Sequence, residues 1–131
     1  MQFFYVKIPL DPAAPQAPGL LPGLHQTLET ALTARQAGSL LGWGDSVELG
    51  PSAGAGLRPS FHRIDVEVGD HPALARALLR DTLAGCAVPP GTELHYSLDG
   101  QALQEVYRGG AAGWGDPQPS SGALHAARRR T

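Results

Sequence analysis

The chain has a single cysteine, Cys86, among its 131 residues, so no internal disulfide can form. That scarcity fits a reducing, cytoplasmic setting. Long apolar runs are missing too: no segment approaches the roughly 18–20 apolar residues that cross a bilayer. The opening MQFFYVKIPL is apolar but has no basic leader, which speaks against a secretory signal. A basic surplus is also missing. Ten Lys and Arg face twelve Asp and Glu, for a net charge of −2. Three of the positive charges are Arg128, Arg129 and Arg130. Without them seven basic residues face twelve acidic ones, a balance of −5. An acidic body disfavours nucleic acid as a ligand and suits a basic protein partner.

Familiar catalytic patterns are lacking as well. There is no G-x-S-x-G, no H-E-x-x-H and no phosphate-binding G-x-x-x-x-G-K-[ST]. The five histidines, His25, His62, His71, His95 and His125, have no metal-ligand spacing, and no metal or other cofactor is expected. Cys86 falls just past a helix end, where the dipole disfavours a thiolate, so it reads as structural.

What is present is periodicity. Phe61–Val68 alternates apolar Ile64, Val66 and Val68 with polar Arg63, Asp65 and Glu67, the signature of a strand with one buried face. Asp70 is placed to cap a helix over 71–85, with Pro72 in its first turn. Strands over 92–98 and 101–107 follow, joined at Asp99-Gly100, a pair that tolerates the positive φ angles of a tight hairpin. Upstream, Phe4, Val6 and Ile8 share one face of a first strand. Leu24, Leu28, Ala31 and Leu32 form a helical stripe within about 20–37, with Gly38 as a stop. A second strand over 39–49 is broken at Gly42-Trp43-Gly44, which suggests a bulge or bend. Residues 51–60 read as a flexible turn.

This order predicts an α+β fold: a two-layer sandwich of ferredoxin-like β-α-β-β-α-β type with an extra C-terminal strand. Two helices would lie on one face of an antiparallel sheet. Residues 1–108 read as one domain. Residues 109–131, rich in Gly, Pro and Ser, read as a flexible tail. Gly-Trp-Gly-Asp occurs at 42–45 and again at 113–116, by chance or because Trp114 docks on the body.

If the apolar positions face the helices, Asp65, Glu67, Glu93 and His95 face away, with Phe3, Tyr5 and Lys7 beside them. This face is an ordinary solvated surface or a protein-binding one. Tyr5, Asp65, Glu67, Glu93 and His95 are the candidate partner-binding residues, and Trp43 joins them from the break in the second strand. A carboxylate–histidine pair, Glu93 or Asp65 with His95, is the acid/base candidate if the face holds a pocket.

Val6-Lys7-Ile8-Pro9, Gly42-Trp43-Gly44, Ile64-Asp65-Val66-Glu67 and Pro90–Tyr96 together resemble a group of small bacterial proteins of immunity type, across residues 3–107. The resemblance implies a non-enzymatic inhibitor. It would bind a cognate toxin and occlude that toxin's basic cleft, without nucleic acid or membrane as partner. The alternative is a small-molecule-binding or catalytic domain that uses the carboxylate–histidine pair of the open face.

Overall fold

A computed structural model describes residues 2–10, 20–49 and 57–120. The elements run β1 (Gln2–Pro9), α1 (Leu20–Ala34), β2 (Gly38–Leu49), β3 (Leu57–Val68), α2 (Pro72–Gly85), β4 (Glu93–Leu98) and β5 (Gln101–Gly109). A single 3-10 turn over 110–112 leads to two short strands, β6 (Gly113–Trp114) and β7 (Gln118–Pro119). The architecture is α+β. The strands form one antiparallel sheet in the order β2-β3-β1-β4-β5-β6, and β7 also pairs with β5.

Alternation puts Phe4, Val6 and Ile8 of β1, Ile64, Val66 and Val68 of β3, and Leu94 and Tyr96 of β4 in one buried cluster. Leu24, Leu28 and Leu32 of α1 and Ala75, Leu79 and Leu83 of α2 complete that cluster. Both helices therefore bury their stripes in a single core against one side of the sheet. Each fully buried aliphatic side chain contributes about 1.5–3 kcal/mol.

The helix ends follow local chemistry. α1 stops three residues short of the expected 37, because Gln36 takes a left-handed φ of 53° and Ala37 N–H bonds back to Leu32 O at 2.9 Å. Gly38 is required by proximity: a Cβ there would meet Glu67 O at 2.3 Å. At α2 the expected cap is corrected. His71, not Asp70, holds the N-cap position, and no side chain caps the helix. Pro72 lacks an N–H to satisfy, which lowers the need for a cap. Asp99 and Gly100 both have positive φ, as the tight β4–β5 hairpin requires.

β2 carries the expected irregularity. Leu40 pairs with Val66 and Gly42 with Asp65, so Leu41 is the extra residue of a bulge. The bulge inverts the facing of the rest of the strand. Leu41 turns to the open face, while Trp43 and Asp45 pair with Ile64 and His62, which belong to the helix side.

Beyond Arg108, where a flexible tail is expected, the described residues continue to 120 and pair with the sheet. Trp114 pairs with Tyr107, and Gln118 and Pro119 pair with Gln104 and Leu103. The Trp114 ring packs on Tyr107 with centroids 5.2 Å apart, and its indole N–H donates to Arg80 O at 3.2 Å. Residues 110–120 are thus tied to β5 and α2 by one aromatic anchor and a few ladder bonds. Residues 121–131, with the three arginines, lie outside the described residues.

A carboxylate is buried inside this layer. Glu105 accepts from Arg76 Nε at 2.6 Å and from the Tyr96 hydroxyl. Arg80 Nε lies 3.3 Å from the other carboxylate oxygen, close enough for attraction but angled away from a hydrogen bond. The carboxylate thereby pins α2 to β4 and β5.

Candidate functional site

The register decides what the open face contains. Phe3 lies opposite Glu67, Tyr5 opposite Asp65, and Lys7 opposite Arg63. On the other side of β1, Tyr5 lies opposite His95 and Lys7 opposite Glu93. Tyr5, Asp65, Glu67, Glu93 and His95 therefore come together on three adjoining strands. Trp43 does not join them: the bulge sends it to the helix side.

The charges on this face are largely paired with one another. Arg63 donates to Asp65 at 2.8 Å and lies 4.0 Å from the centre of the Tyr5 ring. Lys7 lies over Phe61 at 4.3 Å. His95 Nε2 bonds to Glu93 Oε1 at 2.7 Å. The His95 hydrogen bond, with Lys7 adding to it, holds the Glu93 carboxyl below its ordinary range. A carboxylate only accepts, so His95 Nε2 carries the proton and Nδ1 accepts from the Ser120 hydroxyl at 2.7 Å.

This carboxylate–histidine–serine chain contains the residue types of a nucleophilic triad but has no access. His95 is 2% exposed, sealed by Ser120 and by the stacked Tyr5 ring at 4.3 Å. A substrate would have to displace both to reach the imidazole. Among the described residues, the pair acts as a structural tie from β4 to the returning chain.

What the open face does expose is apolar. Phe3 is 61% exposed and Leu41 53%. They border a shallow hollow of about 300 Å³ floored by Tyr5, Arg63 and Asp65. Leu41 follows the core-facing Leu40, so alternation turns it to this face, and the bulge keeps Gly42 on the same side beside it. The sequence hides it because Leu40-Leu41 shows no polar partner to say which of the two faces inward.

On the helix side, α1, β2 and β3 enclose a larger groove of about 950 Å³. Its walls include Leu21, Leu40 and Trp43, and its polar lining includes His25, Glu29, Asp45 and His62. Asp45 Oδ1 lies 2.7 Å from His62 Nδ1, and His62 Nε2 lies 2.8 Å from His25 Nε2. The His25 ring stacks on Trp43 at 4.0 Å. Burial, with His62 adding to it, pushes the His25 pKa below its ordinary value. Glu29 accepts from Leu40 N–H at 2.6 Å and so ties α1 to the outer strand. The sequence holds a faint signal for this cluster: His25 interrupts the Leu21–Leu28 stripe, and His62 continues the buried alternation of β3. Nothing local links either residue to Asp45.

Among the described residues, no group of three or more His, Cys, Asp or Glu side chains is arranged to hold a metal ion. No helix among them is long and apolar enough to cross a membrane. No family model, no curated protein and no solved structure matches the chain.

Proposed function

We propose that the protein is a non-catalytic binding module that docks a basic protein partner on the open face of its sheet. The observation that carries this reading is the exposure of Phe3 and Leu41 side by side, above a floor of Tyr5, Arg63 and Asp65. Exposed aromatic and aliphatic anchors ringed by charge are the composition of interface centres. The partner's sign follows from the acidic body and from Glu67. That carboxylate has no ion-pair partner among the described residues and lies opposite Phe3 across β1 and β3.

In the immunity-type reading the partner is a toxin, met in the cytoplasm, whose basic cleft this face covers. That assignment rests on the sequence resemblance, and the geometry supports only the docking face. With Asp65 and Glu93 already paired, the apolar contact would supply most of the affinity and Glu67 most of the steering. The strand order β2-β3-β1-β4, with α1 and α2 as its crossovers, is what a ferredoxin-like core would have. We read β5, β6 and β7 as an extension of that core on the β4 edge.

Immobilised protein, used as bait in extracts of the cells that make it, tests the reading. Wild type should retain one basic protein that elutes as salt rises. A variant carrying Phe3→Asp and Leu41→Asp should lose it while keeping its thermal midpoint. Equal retention by the variant would refute the docking face.

A further inference from the structure

We propose that the groove between α1, β2 and β3 binds a flat, largely apolar organic molecule bearing one weakly acidic hydroxyl, such as a phenol or an enol, with His25 Nδ1 as acceptor of that proton. This site lies on the opposite side of the sheet from the docking face and does not depend on it.

The proton order along the chain is fixed from one end. The Asp45 carboxylate can only accept, so His62 Nδ1 carries a proton. Neutral His62 then offers a lone pair at Nε2, and the 2.8 Å contact requires His25 Nε2 to donate. That leaves the one remaining lone pair of His25, at Nδ1, which bonds to no described residue. The relay therefore ends in an unprotonated nitrogen on a residue that lines the groove.

The shape selects the rest of the ligand. A volume of about 950 Å³ is that of a small-molecule site. Trp43 is 55% exposed and covers His25 with one face, so its other face offers a flat apolar surface close to the acceptor. Leu21 and Leu40 are apolar, and the acidic side chains in the lining, Glu29 and Asp45, disfavour a ligand that arrives as an anion.

If the bound hydroxyl ionises, the balance is simple. Its proton goes to His25 Nδ1 and the His25 Nε2 proton passes to His62 Nε2. The resulting His62 imidazolium is held by Asp45. The ligand's oxyanion keeps a hydrogen bond from His25 Nδ1–H. One proton moves from ligand to protein and no bond to carbon changes.

Two facing imidazole nitrogens with a carboxylate behind one also suit a metal ion. Only two protein ligands would be supplied, fewer than a resident site uses.

The probe is p-nitrophenol, with p-nitroanisole as the analogue lacking the hydroxyl, titrated into the full chain. Binding is followed by imidazole nitrogen NMR and by phenolate absorbance. The expected result is saturation with shifts at His25 and His62 and none at His71 or His95. The bound probe should also ionise at a lower pH than the free one. The ether should bind about tenfold more weakly, as the loss of one good hydrogen bond implies. Asp45→Asn replaces a partly solvated side chain and leaves the core intact. It should abolish the shift in ionisation and weaken binding several-fold. Failure to saturate by about 5 mM, equal binding of the ether, or an unchanged Asp45→Asn variant would each overturn the proposal. So would stoichiometric uptake of zinc at both imidazoles, which would make the pair a metal site.

Discussion

Glu105 is 1% exposed between Arg76 and Tyr96, and its position illustrates what a single residue contributes to this fold. Replacing it by Ala would leave Arg76 and the Tyr96 hydroxyl without their acceptor. Removing one partner of a buried ion pair costs about 3–5 kcal/mol. Arg76 and Arg80 keep partial access to water, so a loss near about 3 kcal/mol is expected in urea unfolding. Tyr96→Phe should cost about 1 kcal/mol. Burial, and then the bond to Glu105, push the Tyr96 phenol up to about 12 from an ordinary 10.0. The fold thus favours the protonated phenol. That contribution is complete below pH 10 and lost as pH rises towards 12, and Tyr96→Phe should remove that part of the alkaline decline. Glu93 has the opposite sign. Its carboxyl is held below an ordinary 4.5, so its contribution is present above that pH and disappears as acid titrates it. Glu93→Gln should flatten the acid limb of the urea midpoint. These roles are hard to read in sequence. Glu105 looks like any polar residue of an alternating strand until β5 is placed with that side towards α2.

At the scale of elements, much of the layout is legible in the chain. Phe4-Val6-Ile8 and Ile64-Val66-Val68 mark strands by alternation, Leu24-Leu28-Leu32 marks a helix, and Asp99-Gly100 marks a hairpin. Two things escape this logic. The strands at 113–114 and 118–119 are two residues each, too short to show a period. Their order comes from Trp114 docking on Tyr107 and Arg80, a tertiary contact. Trp114→Ala should therefore cost about 2 kcal/mol, the lower side of large-to-small substitutions because the ring is half-buried. For a domain of this size that lowers Tm by roughly 8 °C. An unchanged midpoint would show that residues 110–120 add nothing to the fold. The second is the facing of β2 beyond Leu41. The glycines at 42 and 44 announce an irregularity, but which side Trp43 takes depends on one extra residue. Deleting Leu41 should remove the bulge and restore plain alternation while leaving Gly42 opposite Asp65, so Trp43 and Asp45 stay on the helix side and Asp45 keeps its bond to His62. An unchanged His62 imidazole NMR shift in the deletion variant is the expected result, and its loss would show that the register had slipped instead.

For the whole molecule, the three large apolar side chains more than half exposed among the described residues are Phe3, Leu41 and Trp43. Leu41 in the β2 bulge and Trp43 just after it lie on opposite sides of the sheet, and Phe3 shares the open-face hollow with Leu41. In the proposed reading this is the interacting end of the molecule. The His25–His62–Asp45 groove could not be assembled from the sequence, because its members are 17 and 37 positions apart and meet only through the pairing of β2 with β3 and the packing of α1. The open-face residues were legible because alternation fixes them, whereas their mutual pairing, which reduces the free acidity of the face, depends on the register across β1. The most direct measurement of the central claim is site-specific photo-crosslinking in the cells that make the protein. The photoreactive side chain would be placed at position 3, at position 41 and, as a control, at the exposed position 81 on α2. The account predicts one basic protein joined at 3 and 41 and absent at 81. No adduct, adducts only to a second copy of the chain, or the same adduct from all three positions would contradict it.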